Sequence, residues 1–267
     1  MTSLNGPSDL SAGPFLLGYY CKWFAFMIYL ALIGSVAAGV LAVLKCKLDD
    51  PHRLKLVTAF TGAYLMALTC LHLIPEVFGG GHHHHGDHHH GPDAVTLGTF
   101  ILLGFFLQVA LDNFSGGLEH GHAHHTSGPM PLGMIGGLCV HAFLEAMPLA
   151  HMETPRLLAA IVVHKFPVSI VLLTMLLHNS RTAKNAYLAL LVFTLMAPIG
   201  ALIGSHPKLE NQAPYLLALV IGIFMHVSTT ILFESGEDHQ YNRRKAIAIF
   251  LGAALAALGV FLPIHAH

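Results

Sequence analysis

The sequence predicts an all-α integral membrane protein, an eight-transmembrane-helix bundle with both termini extracytoplasmic. Of its 267 residues, 54% are hydrophobic and only 10% are charged, whereas soluble domains carry about 25% charged residues. Apolar stretches recur along the whole chain, and each is close to the roughly 20 residues that a helix needs to cross a bilayer. Little sequence is left for a domain outside the membrane, so we expect residues 1–267 to form a single transmembrane domain.

The predicted spans follow one another with short connections. They cover residues 15–44, 56–78, 94–114, 132–149, 157–177, 186–203, 215–233 and 246–264. Basic residues set the orientation, because they concentrate in cytoplasmic loops. Most of them lie between spans one and two, five and six, or seven and eight: Lys45, Lys47, Arg53, Lys55, Arg181, Lys184, Arg243, Arg244 and Lys245. With an even number of spans, this bias places both termini outside the cytoplasm.

Two loops are unusually rich in histidine, which occurs 22 times in the chain. The loop at 79–93 contains "HHHHGDHHH" and is predicted to be extracytoplasmic, and the loop at 115–131 contains "EHGHAHH" and is predicted to be cytoplasmic. Glycine-spaced histidine tracts are typical of metal capture, since neutral imidazole binds zinc, nickel, copper and iron. The candidate ligands are His82, His83, His84, His85, His88, His89, His90, His120, His122, His124 and His125. A polar linker with no selected metal affinity is the alternative interpretation.

An enzyme is disfavoured by the spacing of these histidines. Membrane di-iron hydroxylases and desaturases carry several cytoplasmic histidine boxes, each with HxxxH or HxxHH spacing. The run from His120 to His125 fits that spacing poorly, and no second cytoplasmic box follows. We therefore predict that the protein is not an enzyme.

Ionisable residues inside the predicted spans are the second unusual feature. A charged group at the centre of a spanning helix costs about 2.5 to 3.5 kcal/mol on the insertion scale, so such groups are functional candidates. The second span contains "LHLIPE", the fourth "VHAFLEAM" and the fifth "VVHKFPVSI". The residues in question are His72, Glu76, Asp112, His141, Glu145, His164, Lys165, His226 and Glu234.

The fourth and fifth spans predict a metal site. His141 and Glu145 are four residues apart and share one helix face, which supplies one nitrogen and one oxygen ligand for a divalent first-row metal. His164 is the expected third ligand, because the connection between these spans is short enough to make them antiparallel neighbours. Pro167 removes a backbone donor and loosens the helix beside His164. A buried polar contact between helices is the simpler alternative for any single His–Glu pair.

With these motifs in order, the chain resembles the ZIP (Zrt-, Irt-like protein) family of divalent metal transporters. The resemblance rests on "LHLIPE", "HAFLE", "HKFP" and "GIFMHVSTTILFE" in the second, fourth, fifth and seventh spans. It implies import of zinc, iron, cadmium or a similar ion into the cytosol through a site at the membrane midplane. His141, Glu145 and His164 would bind the metal. The residues implied to line or gate the path are His72, Glu76, Asp112, Lys165, Ser169, His226 and Glu234.

Some positions depart from the pattern of family members that hold two adjacent metals. Ala142, Lys165, Ala197 and Ser169, five positions after His164, stand where the resemblance implies further ligands for a second metal. The resemblance therefore implies a branch of the family with His-Lys in the fifth span. Our hypothesis is that the ammonium of Lys165 takes the place of the second cation and leaves a single-metal pocket.

Two other functions remain open at this stage. One is a metal exporter similar to cation diffusion facilitators, although those end in a soluble domain and the last predicted span reaches residue 264 of 267. The other is a metal-sensing or storage protein whose spans anchor the histidine-rich loops. We expect no prosthetic group, with zinc as the first choice of transported ion. The expected partners are divalent metal ions and membrane lipid but no nucleic acid, a homodimer is left open, and the expected location is the plasma or bacterial inner membrane.

Overall fold

The computed structural model describes residues 14–46, 50–79, 92–115, 132–151, 155–179, 182–234 and 243–261. The regular elements in these ranges are helical. The α-helices are α1 (Pro14–Cys46), α2 (Pro51–Leu68), α3 (Ile74–Gly79), α4 (Ala94–Ser115), α5 (Leu132–Ala146), α6 (Pro155–Asn179), α7 (Ala183–Gly204), α8 (Ala213–Glu234) and α9 (Arg243–Phe261). A π-helical turn at Thr69–Leu73 joins α2 to α3, and 3-10 turns at Met147–Ala150 and Pro207–Gln212 follow α5 and precede α8.

The prediction of an all-helical integral membrane protein is confirmed. Six helices in the described ranges are long and apolar enough to cross a membrane, namely Ala25–Lys45, His52–Gly79, Ala94–Asn113, Pro155–Leu177, Ala183–Gly204 and Pro207–Phe233. A shorter apolar helix covers Ile135–Ala150, and α9 is not among the six. The count of eight spans and the location of the termini therefore stay predictions.

Large apolar side chains cover the outside of the bundle. Phe233 and Phe250, for example, are 80% and 76% exposed, and exposed leucines recur along α4 and α7. A protein in water rarely exposes apolar surface on this scale. A surrounding lipid phase accounts for it, since hydrocarbon tails solvate these side chains.

Short polar sequences start the helices at the ends of the bundle. Asp50 precedes α2 and accepts a hydrogen bond from the backbone N–H of Arg53 at 3.3 Å, with Pro51 as the first helical residue. Thr182 plays the same part before α7, where its hydroxyl accepts from the N–H of Asn185 at 3.3 Å. These are the side chains and positions that satisfy exposed backbone donors at a helix start.

Glycines let the helices approach in pairs that are distant in sequence. The most extensive contacts join α2 with α9, α4 with α8, α5 with α7, and α1 with α6. In three of these pairs, a Cβ atom added to a glycine would overlap a backbone carbonyl oxygen of the partner helix. The glycines and the residues whose carbonyl they meet are Gly252 and Phe60, Gly104 and Leu219, Gly222 and Ile101, and Gly200 and Phe143. In the fourth pair, a Cβ on Gly39 would overlap the hydroxyl of Ser169. Small residues at such contacts are a common means of packing helices in membranes, where hydrophobic burial adds little.

We expect Gly200→Ala to destabilise the protein because the added methyl group meets the Phe143 carbonyl and forces α5 and α7 apart. Overpacking of this kind costs about 1 to 3 kcal/mol. The measurement is thermal unfolding of the detergent-purified protein. Gly34→Ala is the matched control, because a Cβ on this helical glycine meets no other part of the described chain within 4 Å beyond the adjoining backbone of its own helix. Equal melting temperatures for the two variants would contradict the importance of the contact.

Among the prolines within helices of the bundle, Pro75 and Pro167 have different surroundings. Pro75 follows the π-helical turn at Thr69–Leu73, so that the extra residue of this turn comes just before the missing backbone donor. Pro167 lies inside α6, which remains helical on both sides of it. Two residues further on, the hydroxyl of Ser169 donates to the carbonyl oxygen of Phe166 at 2.7 Å. This bond holds the Ser169 hydroxyl on the side of α6 that faces Gly39 of α1.

Candidate metal centre

Three side chains with metal-binding atoms meet in the interior of the bundle. His141 and Glu145 come from α5 and His164 comes from α6, and one ligand atom of each lies within 4.8 Å of the others. None of the three residues is more than 2% exposed. The structure thus brings together the three residues that the sequence predicts as metal ligands.

The spacing of His141 and Glu145 along α5 determines half of this geometry. Nε2 of His141 lies 3.3 Å from Oε2 of Glu145, one helical turn away. The ring of His164 approaches from α6 and forms an edge contact with His141, with 5.7 Å between ring centroids. On its other side, His164 contacts the ring of Phe224 on α8 at 6.5 Å. Aromatic packing from a third helix therefore limits how far this imidazole can rotate.

The donor set is suited to a divalent transition metal. Two imidazoles and one carboxylate provide borderline nitrogen and hard oxygen ligands, a combination found at zinc and iron sites in proteins. The short connection between the fourth and fifth spans predicts that they pack as neighbours, but in the structure α5 packs chiefly against α7 and α6 chiefly against α1. Besides the ligand group, α5 and α6 contribute to a common buried apolar cluster, which includes Ala142 of α5 and Val168 of α6.

Lys165 occupies the space beside Glu145. It is 1% exposed, and its ammonium donates to Oε1 of Glu145. The ammonium also lies over the ring of Phe193 on α7, 5.0 Å from the ring centroid, where the electron-rich ring face favours a cation. Ala142 and Ala197 are both fully buried. The cation of Lys165 is thus held by a carboxylate and an aromatic face, without a further acid at positions 142 and 197.

A line of hydrogen bonds continues from the metal-binding group to α4 and α8. Nδ1 of His141 lies 2.9 Å from Oε1 of Gln108, and Nε2 of Gln108 donates to Oδ1 of Asp112 at 2.8 Å. The other carboxylate oxygen of Asp112 lies 2.6 Å from Nε2 of His226. The hydroxyl of Thr230 lies 3.5 Å from the same nitrogen. Asp112 and His226 are therefore connected to the metal-binding group through Gln108.

The other predicted path residues lie in different surroundings. His72 belongs to the π-helical turn, and its Nε2 is 3.1 Å from the carbonyl oxygen of Ala256 on α9. Glu76 is half-buried on α3. Ser169 contacts its own helix and Gly39, as described above. Glu234 ends α8, but its side chain lies outside the described part of the chain, as do the eleven candidate loop histidines between positions 82 and 125.

The site contains residues that the sequence-based prediction lacks, and Gln108 and Phe193 have the closest contacts with the predicted ones. Gln108 is completely buried, and Phe193 forms one wall of the Lys165 pocket. A signal for Gln108 exists in the sequence, because an amide four residues before Asp112 shares its helix face. Phe193 carries no such signal, since its apolar stretch contains many residues of similar character.

Comparison with known families agrees with this arrangement. Residues 119–259 match the family model described as ZIP zinc transporter, which is more than half of the 267 residues. The matched range contains His141, Glu145, His164 and Lys165 but not Gln108. Among curated proteins, no match was found. The chain belongs to the ZIP zinc transporter family, whose members transport divalent metal ions and are not enzymes.

Proposed function

We propose that the protein imports zinc into the cytosol through a single metal site formed by His141, Glu145 and His164. The observation that carries this proposal is the buried group of three ligand atoms within 4.8 Å of one another, in a chain of a divalent metal transporter family. Buried ionisable residues in membrane helices mark ion pathways. The proposed topology has eight spans, with α5 and α9 completing the six longer helices and both termini outside the cytosol.

The two oxygens of Glu145 have separate tasks in this proposal. Oε1 accepts from the ammonium of Lys165, while Oε2 faces Nε2 of His141. A metal can bind Oε2 and the two imidazoles without displacing Lys165 from Oε1. The carboxylate then bridges a metal and an ammonium, as it would bridge two metals if a second cation stood in place of Lys165.

The fixed charge of Lys165 accounts for a single-metal pocket. With the carboxylate ionised, the imidazoles neutral and the ammonium protonated, the empty group is neutral and a divalent ion makes it doubly positive. Repulsion between the ammonium and the bound ion weakens resting affinity, which favours release of the ion towards the cytosol. The face of the Phe193 ring attracts the ammonium electrostatically and helps to hold it in place.

Uptake by proteoliposomes tests both the direction and the metal. Vesicles that contain the purified protein receive radioactive zinc outside, and accumulation is followed with and without unlabelled iron(II) or cadmium as competitors. We expect zinc to accumulate in vesicles in which the extracytoplasmic side of the protein faces the bath. This orientation is identified by whether an added protease reaches the cytoplasmic loops. Transport only from the cytoplasmic side would indicate an exporter, and no transport at all would indicate a sensor or storage protein.

We further propose that the histidines at positions 82–85 and 88–90 concentrate metal at the outer mouth of the path. Replacement of all seven by serine keeps the length of the segment and removes its imidazole ligands. The expected result is a higher KM for zinc uptake with nearly unchanged maximal rate, measured in the same vesicles at scarce zinc. The matched control replaces His120, His122, His124 and His125, on the predicted cytoplasmic side, and should leave KM for external zinc unchanged. An unchanged KM in the first variant would make this segment a linker.

A further inference from the structure

We propose that Gln108 and Asp112 are positioning residues that keep a hydrogen on Nδ1 of His141, so that Nε2 is the nitrogen that binds the metal. The inference rests on the proposed function, because it concerns the same metal site. It gives Asp112 a role that differs from lining the path. It also gives a function to Gln108, the fully buried amide between the ligand and the acid.

Asp112 determines which groups donate in this line of hydrogen bonds. Its Oδ1 accepts from Nε2 of Gln108 at 2.8 Å, and its Oδ2 lies 2.6 Å from Nε2 of His226. An ionised carboxylate can only accept hydrogen bonds. Both neighbours must therefore donate, which puts a hydrogen on Nε2 of His226 and turns the NH2 group of Gln108 towards Asp112.

The orientation of the Gln108 amide determines which nitrogen of His141 carries the hydrogen. With its NH2 group towards Asp112, its oxygen faces Nδ1 of His141 at 2.9 Å. An amide oxygen accepts but does not donate, so Nδ1 must carry the hydrogen. The imidazole then offers its lone pair from Nε2, which is the nitrogen that lies 3.3 Å from Oε2 of Glu145. The nitrogen that can bind the metal thus points into the group of ligands.

Helix geometry and burial keep this direction from reversing. Gln108 and Asp112 are four residues apart, on one face of α4, and α4 packs against α5, which carries His141. A reversed amide would place its oxygen against the carboxylate of Asp112, so that two acceptors would face each other without a hydrogen between them. In zinc proteins a ligating histidine commonly donates its other N–H to such a partner, and loss of the partner costs about 10- to 100-fold in metal affinity.

The test exchanges the amide and the acid. Asp112→Asn alone leaves amides at both positions, so neither residue determines which group donates. Gln108→Leu removes the acceptor for Nδ1 of His141. In each of these variants we expect KM for zinc uptake to rise by about 10-fold or more. The double variant Gln108→Glu with Asp112→Asn keeps an acceptor opposite Nδ1 of His141 and an acceptor opposite Nε2 of His226, and reverses only the hydrogen bond between positions 108 and 112. The carboxylate introduced at position 108 accepts from His141 and from the amide at position 112, whose oxygen accepts from His226. We expect this variant to regain a KM near that of the unmodified protein.

The double variant separates positioning from a role of Asp112 as a charge in the path. The negative charge is still missing from position 112, so a residue that acts through its charge there would not be rescued. A KM as high as in Asp112→Asn alone would overturn the proposal, as would an unchanged KM in both single variants. Normal uptake in His141→Ala would instead contradict the proposed metal site itself.

Nitrogen NMR of the full protein with ¹⁵N-labelled histidine provides a readout that does not depend on transport. The signal of His141 in metal-free protein is identified by its loss in His141→Ala. We expect a hydrogen on Nδ1 in the unmodified protein and in the double variant, and a mixture of the two tautomers in Gln108→Leu. A His141 with its only hydrogen on Nε2 in the unmodified protein would overturn the proposal, even if the single variants fail to fold.

Discussion

Zinc uptake is expected to be lost when His141 is replaced by alanine. The substitution removes one of only three protein ligands in the proposed site, and no other side chain of the group can supply the missing nitrogen. Loss of an outer partner of a metal ligand already costs about 10- to 100-fold in affinity, so loss of the ligand itself should cost more. The measurement is the initial rate of radioactive zinc uptake by proteoliposomes over a range of zinc concentrations.

His52→Ala is the matched control for this experiment. His52 is exposed at the start of α2. Its replacement removes one imidazole from the protein and leaves the buried group of His141, Glu145 and His164 unchanged. It should transport zinc like the unmodified protein. If His141→Ala is correctly folded, as judged by gel filtration and thermal unfolding in detergent, and still takes up zinc at the normal rate, the proposed site is wrong.

A second large effect is expected from Lys165→Glu, which should bind an additional zinc ion and depend on zinc for its stability. In the unmodified protein the buried ammonium neutralises Glu145. The variant instead places two buried carboxylates in contact, and loss of a buried partner charge typically costs about 3 to 5 kcal/mol. A second cation between the carboxylates would remove this repulsion. Zinc should therefore raise the melting temperature of the variant more than that of the unmodified protein.

Stoichiometry distinguishes this expectation from simple damage to the fold. The bound zinc per chain is measured by elemental analysis, and the histidine-rich loops contribute equally to both proteins. Lys208→Glu makes the same charge change at an exposed position and should leave zinc content and stability unchanged. If Lys165→Glu binds no additional zinc and transports like the unmodified protein, Lys165 does not stand in for a cation.

The meeting of His141, Glu145 and His164 was predictable from the sequence because each step rested on a short-range rule. Residues four apart share a helix face, and polar groups of apolar membrane helices tend to form contacts with one another in the interior of the bundle. Gln108 was harder to predict, because its contact with His141 depends on how α4 and α5 are rotated against each other. That rotation is set by packing over the whole length of the helices, and a single polar residue does not reveal it.

His72 shows a different limit of sequence-based reasoning. The spacing of His72 and Glu76 suggests one helix face only if the helix is regular. The structure has a π-helical turn at Thr69–Leu73, and one extra residue rotates the helix after it by about 100° relative to the part before it. His72 consequently meets the carbonyl oxygen of Ala256 on α9, a partner that the sequence pattern does not suggest.

The overall class of the fold followed from composition, whereas the pairing of the helices did not. Six of the predicted spans coincide with helices long enough to cross a membrane, since length and hydropathy are properties of each segment alone. The partner of each helix is a relation between distant segments. Gly104 and Gly222 join α4 to α8, for example, yet nothing in the sequence around either glycine specifies the other.

The glycine contacts have a mechanical consequence for the metal site. They leave no space between α5 and α7, and Gly39 does the same between α1 and α6. One buried apolar cluster contains residues of all four helices, among them Val36, Ala142, Val168 and Phe193. The candidate ligands His141, Glu145 and His164 lie on α5 and α6, so one closely packed group of helices carries all three. A substitution that opens any of these glycine contacts is therefore expected to change the distances between the ligands as well as the stability of the bundle.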